Sequence, residues 1–377
     1  MSIPLSVLLE KLETLAPLRY AEEWDNVGLL IDPRSRGADL DVRRMLLCID
    51  ATHAVVEEAI NARVGCLLSY HPPLFRAQKR FANVESPLLF AAARHGFAVY
   101  SPHTALDAVP LGINDWLVEG LGAGSSQALV PHPEQDPNAA FKLVVFVPRD
   151  QADRLRDVLA EAGAGRIGAY SHCSFNISGE GTFFGLEGSD PVVGHAGRLE
   201  HVDEQRLEMV CPKCALPAIS RAIAQHHPYE EPAWELYPLG AKPNDRAGAG
   251  RVLTLEAPVS APELIGRVKA HLGLEQLRVA LSSEHLAGER IQHVAVCAGS
   301  GRGVFEKAGD ADAYVTGELG HHDVLALLAR GKSVILAEHS HTERGYLPRL
   351  KARLAALTEG NLEILIAESD REPLAWR

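Results

Sequence analysis

Met45-Leu46-Leu47-Cys48-Ile49, a helical pattern over residues 53–63, and then Cys66-Leu67-Leu68-Ser69-Tyr70 form the stretch on which the fold reading turns. Two short apolar runs without polar alternation, separated by an amphipathic segment, are the pattern of parallel strands buried on both faces and joined by a crossover helix. Phe97-Ala98-Val99-Tyr100 continues the pattern after a helix expected over 86–95, and a further helix is expected near 4–15. The alternation returns in the last third, with strands expected at Val294-Ala295-Val296-Cys297, Ala313-Tyr314-Val315-Thr316, Val334-Ile335-Leu336-Ala337 and Leu362-Glu363-Ile364-Leu365-Ile366. Both ends of the chain therefore read as α/β with a largely parallel sheet.

The middle reads differently. After the polar, proline-bearing stretch Val130-Pro131-His132-Pro133-Glu134-Gln135-Asp136-Pro137, a strand is expected from Lys142 to Val147 and a helix from Gln151 to Ala162. Shorter strand-like pieces, a strand at Leu207–Val210, a helix near 214–225 and a strand at Trp234–Tyr237 complete a β-α-β…β-α-β order. That is the order of a split βαβ, ferredoxin-like unit. The Gly/Ala/Lys/Pro/Asn stretch 240–250 reads as a return linker. The expected organisation is one discontinuous α/β domain, residues 1–130 and 245–377, interrupted by an inserted α+β domain at 138–240.

Composition narrows the function. The 377 residues carry 37 Lys+Arg against 49 Asp+Glu, a formal charge of −12, without a long basic run to track a phosphate backbone, so general nucleic-acid binding is disfavoured. Met1-Ser2-Ile3-Pro4-Leu5 lacks a basic n-region and no run of apolar residues is long enough to cross a bilayer, so a cytoplasmic protein without membrane association is expected. Six scattered cysteines suit reduced, buried thiols; Cys211-Pro212-Lys213-Cys214 has the spacing of half a zinc ribbon but lacks a second pair. The unusual stock is 17 histidines.

Ligands of open parallel sheets gather at the carboxyl ends of strands. There, His71 follows one expected strand, His103 another with Asp107 four residues on, Gly317-Glu318 a third, and Glu338-His339 a fourth with Glu343 four further. If the chain is helical from 339, the i,i+4 spacing puts His339 and Glu343 on one face with His341 pointing elsewhere, and Thr342 can cap the helix that continues through Tyr346, Leu347 and Leu350. Taken singly, each group has an ordinary structural explanation: a loop histidine stiffened by Pro72-Pro73, an internal His-Asp bond, an N-terminal helix turn. Their recurrence after separate strands of one sheet points to a metal or acid/base site. Gly299-Ser300-Gly301-Arg302-Gly303 reads as a phosphate cradle or a tight strand-to-helix turn, and Arg76, Lys79 and Arg80 as a solvated patch or a lure for an anionic substrate.

Trp24-Asp25-Asn26-Val27-Gly28-Leu29, Ser69-Tyr70-His71-Pro72-Pro73, Pro102-His103-Thr104-Ala105-Leu106-Asp107, Asp312-Ala313-Tyr314-Val315-Thr316-Gly317-Glu318 and His339-Ser340-His341-Thr342-Glu343-Arg344 together resemble the Nif3-like family of dinuclear-metal proteins, often labelled GTP cyclohydrolase I type 2 homologs. The resemblance covers residues 1–125 and 245–377; the central segment is similar to the PII/CutA-like domain inserted in long members, whose last helix-to-strand turn His226-His227-Pro228-Tyr229-Glu230-Glu231-Pro232 fits. It implies two divalent ions (Zn, Fe, Mn, Co or Ni) held by His71, Asp107, His339 and Glu343 with His103 as a further ligand or neighbour, and a toroidal homohexamer with its metal sites facing an internal cavity. Many bacterial members carry two consecutive histidines where this chain has Tyr70-His71.

The expected function is a metal-dependent hydrolase of a small molecule, a nucleotide or other phosphorylated substrate, with Glu318 or His341 as general base. The alternative is a non-enzymatic metal-binding hexamer that handles ions or scaffolds a partner.

Overall fold

Along Arg44–Cys48, Cys66–Ser69 and Ala98–Ser101 successive side chains enter two different cores: Met45, Leu47, Cys66, Leu68 and Ala98 pack on one side, Leu46, Cys48, Leu67 and Val99 on the other. This is why the three runs are apolar but for Arg44, Ser69 and Ser101 at their ends. The computed structural model describes residues 2–35, 37–80, 87–307 and 309–374; residue 86, the first of the helix expected over 86–95, lies outside them. The chain divides into two compact units, one of residues 1–132 and 244–377, the other of residues 133–243.

Among the described residues, the first unit contains two large sheets rather than the one expected, besides a two-stranded antiparallel pair of Ile3–Pro4 with Asp41–Val42. A five-stranded sheet has the order Glu363–Ile366, Arg44–Cys48, Cys66–Ser69, Ala98–Ser101, Gly28–Ile31, parallel except for the last strand. A six-stranded mixed sheet has the order Arg278–Ala280, Ser333–Leu336, Ala313–Glu318, Ile291–Ser300, Lys242–Val259, Gly124–Glu134, with parallel pairing among the second, third and fourth. Only Glu363–Ile366 crosses back to the first sheet, because Ile291–Ser300 pairs instead with the long antiparallel strand Lys242–Val259. Alternate residues of both sheets (Met45, Leu68, Tyr100; Leu253, Val296, Val315) share one core with Leu5, Leu8 and Leu12 of the helix Leu5–Leu15 and Leu350 and Leu354 of Leu347–Leu357. The outer face of the first sheet is closed by helices His53–Asn61 and Pro87–His95, through Val55, Val56, Ala59, Leu88 and Ala92.

Two stretches expected to be irregular are strands. Residues 240–250 open the strand Lys242–Val259, and Val130–Glu134 closes the strand Gly124–Glu134. Pro131 and Pro133 are compatible with this because their strand is the sheet edge, where missing N–H donors leave no ladder bond unmade. Gly248 is required beside them: its φ is +149°, and a Cβ there would lie 2.1 Å from the Val130 carbonyl oxygen.

The second unit is a four-stranded antiparallel sheet of order Trp234–Pro238, Phe141–Pro148, Leu199–Cys211, Phe175–Phe184. Helices Ala152–Glu161 and Leu216–His226 cover one face, where Leu155, Leu159, Ile219 and Ile223 meet Leu143, Val145, Leu207 and Met209. Cys211 is buried in that core and Cys214 is exposed, and both thiols are free.

Arg251 anchors the long strand of the first unit. It is 1% exposed, pairs with Asp115, and donates to the carbonyls of Gly248 and Gly250 at 2.8 Å, Ala108 at 3.2 Å and Val109 at 3.3 Å. Arg251→Ala leaves the Asp115 charge and these carbonyls without a partner and is expected to cost about 3–5 kcal/mol. Arg349→Ala, which removes a half-exposed pair with Glu119, should cost no more than about 1 kcal/mol. Urea unfolding of both variants checks the difference; equal costs contradict it.

Candidate metal centre

The carboxyl ends of strands from both sheets meet at one cavity of about 610 Å³ in the first unit. Two backbone bonds carry the chain past Cys66–Ser69: Tyr70 N–H to the Cys48 carbonyl at 2.9 Å and His71 N–H to that of Ile49 at 3.0 Å. Ser69 Oγ donates to the His71 carbonyl at 2.7 Å, so the imidazole is set before Pro72-Pro73 turn the chain away. His103 opens the helix His103–Ala108 with a left-handed φ of +30°, and Asp107 follows one turn later. From the second sheet, Ser333–Leu336 leads through Glu338, φ +65°, to His339 and the short helix His341–Arg344, which carries Glu343.

His71, His339 and Glu343 each offer a ligand atom, all within 4.8 Å of one another. His339 Nε2 lies 3.3 Å from Glu343 Oε1, and His71 Nε2 lies 3.4 Å from Glu343 Oε2. Glu343 is 1% exposed, and its Oε2 is buried without a hydrogen-bond partner. A desolvated carboxylate left in this state is costly unless a cation completes it. Two imidazole nitrogens and a carboxylate suit zinc and other first-row divalent ions, so the residues present can hold a metal ion.

Electrostatics report the same demand for positive charge. Burial pulls the His71 pKa down, but its bond to Asp50 and the adjacent Glu343 outweigh burial and push it up to about 10. A proton there stands where a cation's charge would. Burial pushes the Asp107 carboxyl up to about 6, with Glu343 adding to the rise and His103, Tyr70 and His71 opposing it.

His103 and Asp107 line the same cavity but fall outside the three-residue cluster. The His71 ring lies 5.3 Å from that of His339 and 5.5 Å from that of His103, between the two. Tyr70 is 2% exposed and donates its hydroxyl to Asp107 Oδ1 at 2.6 Å.

The two expected general bases are elsewhere. Neither Glu318 nor His341 is among the residues lining the cavity. Glu318 Oε1 is 3.1 Å from His339 Nδ1, which turns it into that imidazole's outer partner; His341 Nδ1 is 3.0 Å from the Ala337 carbonyl oxygen, on the far side of its short helix from Glu343. Thr342 does not cap a continuous helix, because the helix breaks at Gly345 and resumes at Leu347. Its hydroxyl instead donates to the His339 carbonyl at 2.7 Å and accepts from Gly299 N–H at 2.8 Å, tying the metal turn to the end of Ile291–Ser300. The glycine-rich run is that strand end followed by the four-residue helix Arg302–Phe305, with Gly299, Ser300 and Gly303 lining the cavity.

Two acidic residues escape the sequence reading. Asp50 Oδ1 lies 2.8 Å from His71 Nδ1, and Asp25 Oδ1 lies 2.8 Å from His103 Nδ1. Asp50 is the residue immediately after the first expected strand, so the strand-end rule reaches it when carboxylates are sought alongside histidines. Asp25 sits before the edge strand Gly28–Ile31, and no spacing rule connects it to His103.

The model of the family described as Duf34/NIF3 (NGG1p interacting factor 3) matches residues 3–373. This chain belongs to the Duf34/NIF3 family. Curated family relatives include NIF3-like protein 1 of Bos taurus, 35% identical over 98% of this chain and 92% of the relative, and the GTP cyclohydrolase 1 type 2 homolog of Bacillus subtilis, 32% identical over 98% and 97%. Among solved structures, a Bacillus cereus protein related to NIF3 aligns over 100% of this chain and 99% of its own with TM-score 0.67 and 28% identity. A Staphylococcus aureus protein with 23% identity and TM-score 0.74, over 100% and 99%, shares the fold.

Gly299 leaves the space an ion needs. Its φ is +59°, and a Cβ built on it would lie 2.7 Å from Glu343 Oε1 and 2.9 Å from His339 Nε2. Gly299→Ala is expected to abolish stoichiometric Zn²⁺ uptake while costing about 1–2 kcal/mol from the left-handed backbone. Metal analysis after gel filtration, beside a thermal melt, checks this; retention of wild-type metal content contradicts it.

Proposed function

We propose that this protein is a dinuclear metal-dependent hydrolase acting on a small phosphorylated substrate. The observation that carries the reading is the buried Glu343 carboxylate with its unpartnered Oε2, set between two imidazoles on the wall of a substrate-sized cavity. In this reading His71, His339 and Glu343 hold one divalent ion, and Asp107 with His103 and the shared Glu343 hold a second. Zn, Fe, Mn, Co and Ni all suit such ligands. Bound divalent ions supply Lewis acidity and lower the pKa of a coordinated water.

The chain's own residues do the rest. Trp24 and Phe75, exposed and with ring centroids 5.9 Å apart, flank the cavity and offer apolar faces to the body of a substrate. Lys307 lines it too, and the exposed Arg76, Lys79 and Arg80 follow Phe75, so an anionic group is drawn in although the chain as a whole is acidic. Of the lining carboxylates, Glu22 is the one outside the proposed ligands and their histidine partners, and it is the residue we assign to proton transfer. The name of the Bacillus subtilis relative, a GTP cyclohydrolase 1 type 2 homolog, supports a nucleotide as the substrate to try first. We further read the protein as a cytoplasmic homohexamer and the second unit as a ferredoxin-like, PII/CutA-like insertion.

The displacement of Glu318 and His341 from the cavity favours the second reading, a metal-handling scaffold without turnover. A phosphatase, nuclease and nucleotide-hydrolase panel on metal-reconstituted protein separates the two. For the enzyme, His339→Ala should lower the rate by more than the roughly 10–100-fold that loss of an outer-shell partner costs, with assembly retained. Identical background rates for both proteins overturn hydrolysis and leave the scaffold.

A further inference from the structure

We propose that Asp25 is a positioning residue for the second ion, acting on it through His103; the inference rests on the dinuclear reading above. The Asp25 side chain is fully buried although it lies in a loop. One oxygen takes His103 Nδ1 at 2.8 Å; the other takes the Thr104 backbone N–H at 3.2 Å and the Thr104 hydroxyl at 2.5 Å. All of these donors lie at the start of the helix His103–Ala108, where His103 holds φ +30°, a conformation that costs a non-glycine residue energy and persists only when its surroundings fix it. Asp25 is that surrounding.

The chemical consequence is a tautomer. An ionised carboxylate can only accept, so Nδ1 of His103 must carry a hydrogen, and of the two neutral tautomers only the one with its lone pair on Nε2 fits. The first ion's histidines are arranged in the same way, His71 by Asp50 at 2.8 Å and His339 by Glu318 at 3.1 Å, both presenting Nε2 to Glu343. Three imidazoles from three strand ends thus share one device: an Nδ1–H held by a carboxylate, which leaves Nε2 as the nitrogen a cation would take in place of a proton. His103 is the member without a partner at Nε2 among the described contacts, and it shares the cavity wall with Asp107, on whose carboxyl it acts electrostatically. Asp25 therefore sets the ligand-ready form of an imidazole that the three-residue cluster does not use. Trp24, whose ring meets His103 edge-on at 6.1 Å, closes the other side of that imidazole and accounts for the Trp24-Asp25 pair.

The test is calorimetric titration of the full chain with Zn²⁺, for the wild type, Asp25→Asn, Asp25→Glu, His103→Ala and the double variant Asp25→Asn/His103→Ala. Two equivalents are expected for the wild type. Asp25→Asn should lower one association constant by about 10–100-fold and leave the other unchanged, Asp25→Glu should recover part of the loss, and the double variant should match His103→Ala. Unchanged constants in Asp25→Asn, an equal fall in both, or an additive loss in the double variant each overturn the proposal. The metal-free protein gives an independent readout: ¹⁵N shifts should show His103 as the Nδ1–H tautomer in the wild type and a mixture in Asp25→Asn. A wild type that takes up fewer than two ions defeats the dinuclear reading; an unchanged tautomer defeats the role of Asp25.

Discussion

A carboxylate removed from water governs the architecture around it. Glu343 has almost no contact with solvent, and the groups nearest its oxygens are two imidazole nitrogens at 3.3 and 3.4 Å rather than hydrogen-bonding amides. Isolating such a charge costs several kcal/mol, so its burial makes sense only if positive charge returns to the same place. Around it the strand ends bring two imidazoles, of which His71 is held toward its charged form by Asp50 and Glu343, and the same three side chains could hold a metal ion. Gly299, Thr342 and the outer carboxylates Asp50 and Glu318 hold those side chains in that arrangement.

Burial on two faces explains why so much of the fold was legible. Arg44–Cys48, Cys66–Ser69 and Ala98–Ser101 are apolar at consecutive interior positions because both faces are dry, and such runs stand out in any sequence. Residues 130–134 and 242–250, the parts of two strands that read as irregular, mislead for the opposite reason: an edge strand tolerates proline, and a close strand crossing needs glycine, so both carry the composition of a loop. The same pairing splits the first unit into two sheets, a matter of which partner Ile291–Ser300 finds and not of local propensity.

The site was legible to the same extent. Residues that follow buried strands, His71, His103 and His339, are marked by position, and Glu343 by its four-residue offset from His339. Asp25 is marked by neither, since its link to His103 spans 78 residues and exists only once both loops have folded. Glu318 shows the reverse: strand-end placement marks the residue, and only the folded chain shows that its carboxylate lies against His339 Nδ1.

The close approach of Gly248 to Val130 and His132 bears on how a chain tolerates interruption. Residues 132 and 244 bound the second unit, and the strands that lead into and out of it are neighbours in one sheet of the first. For the first unit, the intervening residues amount to a long loop whose ends are already held together, and loop-closure entropy grows only as the logarithm of length. The ladder between those strands, not the length of what it encloses, bears the cost, so a tight hairpin could occupy this position as readily as a whole folded unit. A chain built this way can gain or lose an entire domain at one point without disturbing the cavity that its two ends assemble.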